Sequence, residues 1–130
     1  MIRKAILAVS FTGMLMAAEP AILETPTGTL YGTLELPAGD GPFPVVLIHA
    51  GSGPTDRDGN SPAIPGKNNS LRMLAEELAG QGIASLRYDK RGIAASAKAV
   101  PKEEDLRFET YIDDAVSWGS NSARTRGSAG

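Results

Sequence analysis

The sequence contains no cysteine and a single histidine, His49, and aromatic side chains make up only 5% of it. Without thiols there is no disulfide framework, no cysteine nucleophile and no Cys-ligated zinc. One imidazole excludes, for this chain acting alone, any mechanism that needs two, or that needs one anywhere other than position 49. No long basic run occurs, and 13 Lys and Arg stand against 15 Asp and Glu for a net charge of −2, which argues against nucleic acid as a partner. The remaining composition is that of a folded chain. Hydrophobic residues at 42% and charged residues at 22% lie near globular averages, so global disorder is not expected. A length of 130 residues accommodates one small domain with one modest core.

The first residues read as a leader. Met1-Ile2-Arg3-Lys4 is a short basic head, and Ala5 to Ala18 carries no charge. That stretch is shorter than the roughly 20 helical residues needed to cross a bilayer. A basic head, a short apolar middle and small residues at the end describe a secretory signal. Residues 1–18 are therefore expected to be a signal peptide, cut after Ala17 or Ala18. The mature chain would be periplasmic or secreted and would have no membrane span.

Beyond the leader, hydrophobic periodicity predicts an α/β chain: a β-hairpin, then β-α-β-α, over residues 19–118. Leu30, Leu34 and Leu36 fall at even positions of Thr29–Leu36, the period of a strand with one buried face. Ala21 to Thr25 is its expected partner across a Pro26-Thr27-Gly28 turn. Pro37 to Pro42 reads as a loop, and Pro44 to Ile48 as a strand apolar on both faces, covered by helices on each side. Gly51 to Asn69 is a long loop of the kind that usually carries function.

Asn69 or Ser70 can cap the helix that follows, with Leu71, Leu74, Ala75 and Leu78 on one face and Gly80 and Gly82 about its end. Ile83 to Tyr88 is the next strand, closed by the turn Asp89-Lys90-Arg91-Gly92. A second helix is predicted from Leu106 to Trp118, turning Phe108, Tyr111, Ile112 and Ala115 to the core, with Trp118 in or near it. Glu103-Glu104-Asp105 would sit at its positive end. Gly119 to Gly130 has only two alanines as apolar side chains and is expected to be a disordered tail.

The apolar strand ending in Ile48-His49-Ala50-Gly51-Ser52-Gly53-Pro54, the helix, and then Arg87-Tyr88-Asp89-Lys90-Arg91-Gly92 together resemble the opening of α/β-hydrolases. The strings GSGPTDRDGN (Gly51 to Asn60) and PGKNNS (Pro65 to Ser70) are similar to an exported bacterial group of esterase- or peptidase-like members. The likeness covers about Gly28 to Trp118. It departs from the usual Asp-x-Arg-Gly-x-Gly-x-Ser turn at Ala94, where the second glycine would stand; if that position takes φ > 0, alanine costs about 1 kcal/mol or more.

The resemblance implies a serine hydrolase acting on acyl esters or peptides, with no cofactor and no metal. A serine on a G-x-S-x-G elbow attacks, a histidine moves the proton and an acid orients the histidine. The loop after the apolar strand would lend one oxyanion N–H, from Gly51 or Ser52, while Asp89, Arg91 and Gly92 would form a buried structural turn. No window of this sequence matches G-x-S-x-G, and His49 precedes the place of a nucleophile in the family's order. The chain is thus expected to be the N-terminal part of such a sheet, truncated before the nucleophile elbow, with no catalytic residue of its own. A serine without an adjacent base is a feeble nucleophile.

Other readings of these residues are weaker. His49 with Ser52 and Asp56 as a catalytic set is set aside in favour of a histidine that organises the loop through backbone hydrogen bonds. Asp56, Asp58 and Asn60 alternate like calcium ligands, but Ser61 stands where the loop needs glycine and Lys67 where it needs glutamate. Pro65-Gly66-Lys67 lacks the first glycine and the Ser/Thr of a phosphate loop. Ser96 and Ser120 have no elbow context. A different class of function, a small exported binding module using the Gly51–Asn69 loop, remains the alternative. The apolar strand would leave one edge unpaired, which invites self-association.

Overall fold

A computed structural model describes residues 16–100 and 106–128. The fold is mixed α/β. β1 (Ala17–Thr25), β2 (Gly28–Leu36), β3 (Val45–Ile48) and β4 (Ala84–Tyr88) form one sheet in the order β1-β2-β4-β3. α1 (Ser70–Gly80) connects β3 to β4; a single 3-10 turn (Ala94–Ser96) and α2 (Phe108–Ser128) follow. β1 with β2 and β2 with β4 run antiparallel, whereas β3 and β4 run parallel. A hairpin is thus joined to a strand–helix–strand unit.

β1 pairs with β2 along its whole length, from Ala17 opposite Leu36 to Thr25 opposite Gly28. It is longer than the expected Ala21–Thr25, because the pairing uses main-chain groups that side-chain periodicity does not report. Pro20 is tolerated because β1 is an edge strand and can spare one N–H. The expected cleavage positions Ala17 and Ala18 lie at the exposed start of β1, and the rest of the leader, residues 1–15, falls outside the described residues.

Side chains alternate across the sheet. On one face Leu30, Leu86 and Tyr88 pack with Ala99 and the fully buried Trp118 of α2. The Tyr88 and Trp118 ring centroids are 5.3 Å apart. Gly32 lies opposite Tyr88, where an added Cβ would meet the Arg87 carbonyl at 2.8 Å and the Trp118 ring at 3.4 Å. The opposite face carries Glu35, Ser85 and Arg87, with the N-terminus of α1 tied to the same side through Asp58.

Three expectations change. β3 is not covered on both faces: Val46 is 40% exposed, and β4 is its sole strand neighbour among the described residues. On α1 the buried positions are Ala75 and Ala79, with Leu71 and Leu78 half-buried, while Leu74 faces out. α2 starts at Phe108 and runs on to Ser128, well past Trp118, so most of the expected tail is helical. Up to Asn121 its buried residues are Asp114 and Trp118, whereas Phe108 is 75% and Ile112 45% exposed. An apolar arc too wide for one contact extends around α2, and a buried salt bridge to Asp114 selects which part turns inward. Glu103, Glu104 and Asp105 lie outside the described residues.

α1 ends as its glycines suggest. Gly82 takes φ 81°, its N–H donates to the Ala79 carbonyl, and the Ile83 N–H donates to Leu78. This pair of bonds is the Schellman closure. The N-terminus is built differently from expectation. Asn69 occupies the cap position in a left-handed conformation, but its side chain makes no cap bond. The Asp58 carbonyl accepts from the Leu71 and Arg72 N–H groups instead.

Candidate functional site

Because β3 and β4 are parallel, the loop after β3 and the turn after β4 leave from the same end of the sheet, the end where open α/β sheets gather their sites. The loop folds on itself around short polar side chains. The Asp56 carboxylate accepts from the N–H groups of Asp58 (2.9 Å) and Asn60 (3.0 Å). Asn60 accepts from the N–H groups of Asn68 and Asn69, both at 3.0 Å, and donates to the Asn69 side chain at 2.7 Å. The two halves of the loop are clasped by amide side chains, which accounts for its dense Asn content. No group of three or more potential metal ligands occurs among the described residues.

Asp89 joins this loop to the turn. It is 2% exposed, and its carboxylate accepts from the Arg57 N–H at 2.7 Å and the Ala95 N–H at 3.1 Å. Ser96 donates to the Asp89 carbonyl at 2.8 Å and accepts from the Tyr31 N–H at 3.0 Å. This buried serine therefore acts as a brace. Gly92 has φ 81° and Ala94 φ 46°. The alanine stands in the left-handed region that the sequence motif reserves for glycine.

Arg91 is buried beneath the turn. Its guanidinium meets Asp114 through two bonds of 3.0 and 2.8 Å, and reaches Thr27 at 2.6 Å and Thr25 at 3.1 Å. One side chain thus ties α2 and the β1–β2 hairpin to the end of β4. Asp89, Arg91 and Gly92 lie together in the turn after β4.

Gly51 and Ser52 are exposed. They are held from below by Lys90, which is only 6% exposed and donates to the carbonyls of Gly51 and, at 3.0 Å, Gly53. His49 does not organise the loop through backbone groups: its Nδ1 is 2.6 Å from the Tyr88 hydroxyl, with the rings edge-on. Burial, and then the nearby Lys90 charge, lower the His49 pKa. Burial, assisted by Asp114, pushes the Tyr88 phenol up to about 12, so this hydroxyl stays protonated and available as a donor. Periodicity gave no sign of Lys90 or Tyr88 as partners.

Arg87 was also missed. Lying inside a fully buried strand, it pairs with Glu35 at 2.9 Å and Asp58 at 3.0 Å. A charge in a buried strand demands a partner, and that was the available signal. A cavity of about 620 Å³ opens between the loop and the turn, walled in part by Pro54, Pro62, Ile64, Lys67, Ile93 and Ala94. Its size is that of a small-molecule site.

Comparison with known proteins finds a partial sequence match to a hydrolase. The chain is 42% identical over 62 residues to Esterase EstD of Thermotoga maritima. This is a hydrolase-like relationship. The match covers 48% of the chain and 14% of the relative's length. No family model matches the sequence. Among the described residues, no helix is long and apolar enough to cross a membrane.

Proposed function

We propose that the chain is the N-terminal part of an α/β-hydrolase-like serine hydrolase: the arm that carries the oxyanion loop, inactive on its own. The observation that carries this reading is the exposed Gly51–Gly53 loop at the end of β3, held by Lys90 from the turn after β4. The partial identity to an esterase supports it. The complete enzyme would act on a small acyl ester or peptide without cofactor or metal. Inactivity follows from content: no G-x-S-x-G window exists, and the one imidazole is engaged with Tyr88 at the end of β3. Export to the periplasm or beyond, by cleavage of residues 1–18, belongs to the same proposal, as does self-association through the edge of β3 that no strand covers among the described residues.

The purified chain should give no turnover of short p-nitrophenyl esters above the buffer rate. Enzymatic turnover abolished by His49→Ala would refute the proposal.

A second reading, a binding module that uses the Gly51–Asn69 loop, is favoured by the cavity against that loop. It calls for a chain that remains monomeric at high concentration and unfolds cooperatively. The hydrolase-part reading calls for oligomers or rapid proteolysis.

A further inference from the structure

We infer that Lys90 is a positioning residue that orients the peptide between Gly51 and Ser52 so that the Ser52 N–H, rather than that of Gly51, is the loop's oxyanion donor. The inference rests on the hydrolase reading and deepens it. The peptide unit is planar and trans, so its C=O and N–H point in opposite directions. Lys90 binds the Gly51 carbonyl from the buried side. The N–H on the same plane, that of Ser52, is therefore directed away from the core, at an exposed position.

That N–H donates to no group among the described residues. The second bond of Lys90 goes to the Gly53 carbonyl, whose peptide partner is Pro54, a residue with no N–H. The two bonds thus fix the loop at both ends of one short segment, and of the two N–H groups between them, those of Ser52 and Gly53, that of Ser52 shares its peptide plane with a carbonyl that Lys90 holds. Gly53, at φ 84°, supplies the bend that lets both carbonyls converge on one ammonium.

The chemistry explains why a lysine is buried here. Among the described residues no carboxylate lies within ion-pair distance of its nitrogen, and two carbonyl dipoles take up the charge instead. A donor fixed before substrate arrives stabilises a developing oxyanion without reorganising. Arginine, with a planar fork, does not reproduce this grip.

The test is nuclear magnetic resonance on the full chain. In the wild type, the Lys90 ammonium should show trans-hydrogen-bond couplings to the carbonyl carbons of Gly51 and Gly53. The Ser52 amide should be as ordered as those of α1, with an order parameter of about 0.85, yet exchange with solvent unprotected. In Lys90→Met the Ser52 and Gly53 order parameters should fall below about 0.6 while α1 and β4 keep theirs. Absent couplings, a protected Ser52 amide, or an unchanged loop in Lys90→Met would each overturn the inference. The wild-type couplings decide the matter even if Lys90→Met does not fold. None of these readouts involves turnover. A loop indifferent to Lys90 would leave the hydrolase reading standing, and an active chain would sink that reading without touching the couplings.

Discussion

The Arg91 guanidinium and the Asp114 carboxylate face each other through two parallel hydrogen bonds, both groups almost wholly buried. This pair fixes where α2 lies and which of its faces turns inward. Removing one partner leaves an uncompensated buried charge. Asp114→Asn and Arg91→Met should each lower unfolding stability by about 3 kcal/mol or more, measured by urea denaturation. The double variant Arg91→Met/Asp114→Asn should lose less than the sum of the two. Strict additivity would mean that the pair is not coupled.

Ala94 holds φ 46° in the turn after β4. Ala94→Gly relieves a steric cost of roughly 1–2 kcal/mol and gives back part of it as unfolded-chain entropy. A net gain of about 0.5–1 kcal/mol in stability is expected. A loss on the same measurement would show that the alanine methyl contributes packing that outweighs its strain.

Gly32→Ala should act in the other direction. Its methyl would lie 2.8 Å from the Arg87 carbonyl and 3.1 Å from the Tyr88 side chain, both in the central strand. Overpacking of this kind costs about 1–3 kcal/mol. The Trp118 fluorescence should report a loosened environment at lower denaturant than in the wild type.

His49 titrates below its ordinary value of 6.5 because burial, and then Lys90, disfavour the cation. The unfolded chain therefore binds a proton that the folded chain resists. Stability is at its full value above pH 6.5 and declines as the pH falls through 6.5 toward the folded-state value. The imidazole resonances should show a midpoint below 6.5, rising toward it in Lys90→Met. A midpoint that ignores that substitution would mean the Lys90 charge is screened from the ring.

Much of the sheet could be read from side-chain periodicity, and the reasons for the exceptions are physical. The alternation in β2 located Leu30, and Gly80 and Gly82 marked the end of α1, because each of these signals is local. Glu35 and Arg87 form a bond between residues 52 positions apart, and nothing near either one announces the other. The face of α2 was misjudged because Phe108, Ile112 and Val116 share a helical ridge as apolar as a core face, yet it is exposed. The inward direction came from Arg91, on another element. Nothing local marked Lys90 as a brace of the loop, since its acceptors are carbonyls that every residue possesses.

The most direct test of the central claim, a hydrolase arm that carries an oxyanion loop but no nucleophile, is the intact mass of the purified chain after incubation with a fluorophosphonate. The mass should be unmodified. A stoichiometric adduct on one serine, lost in His49→Ala, would contradict it.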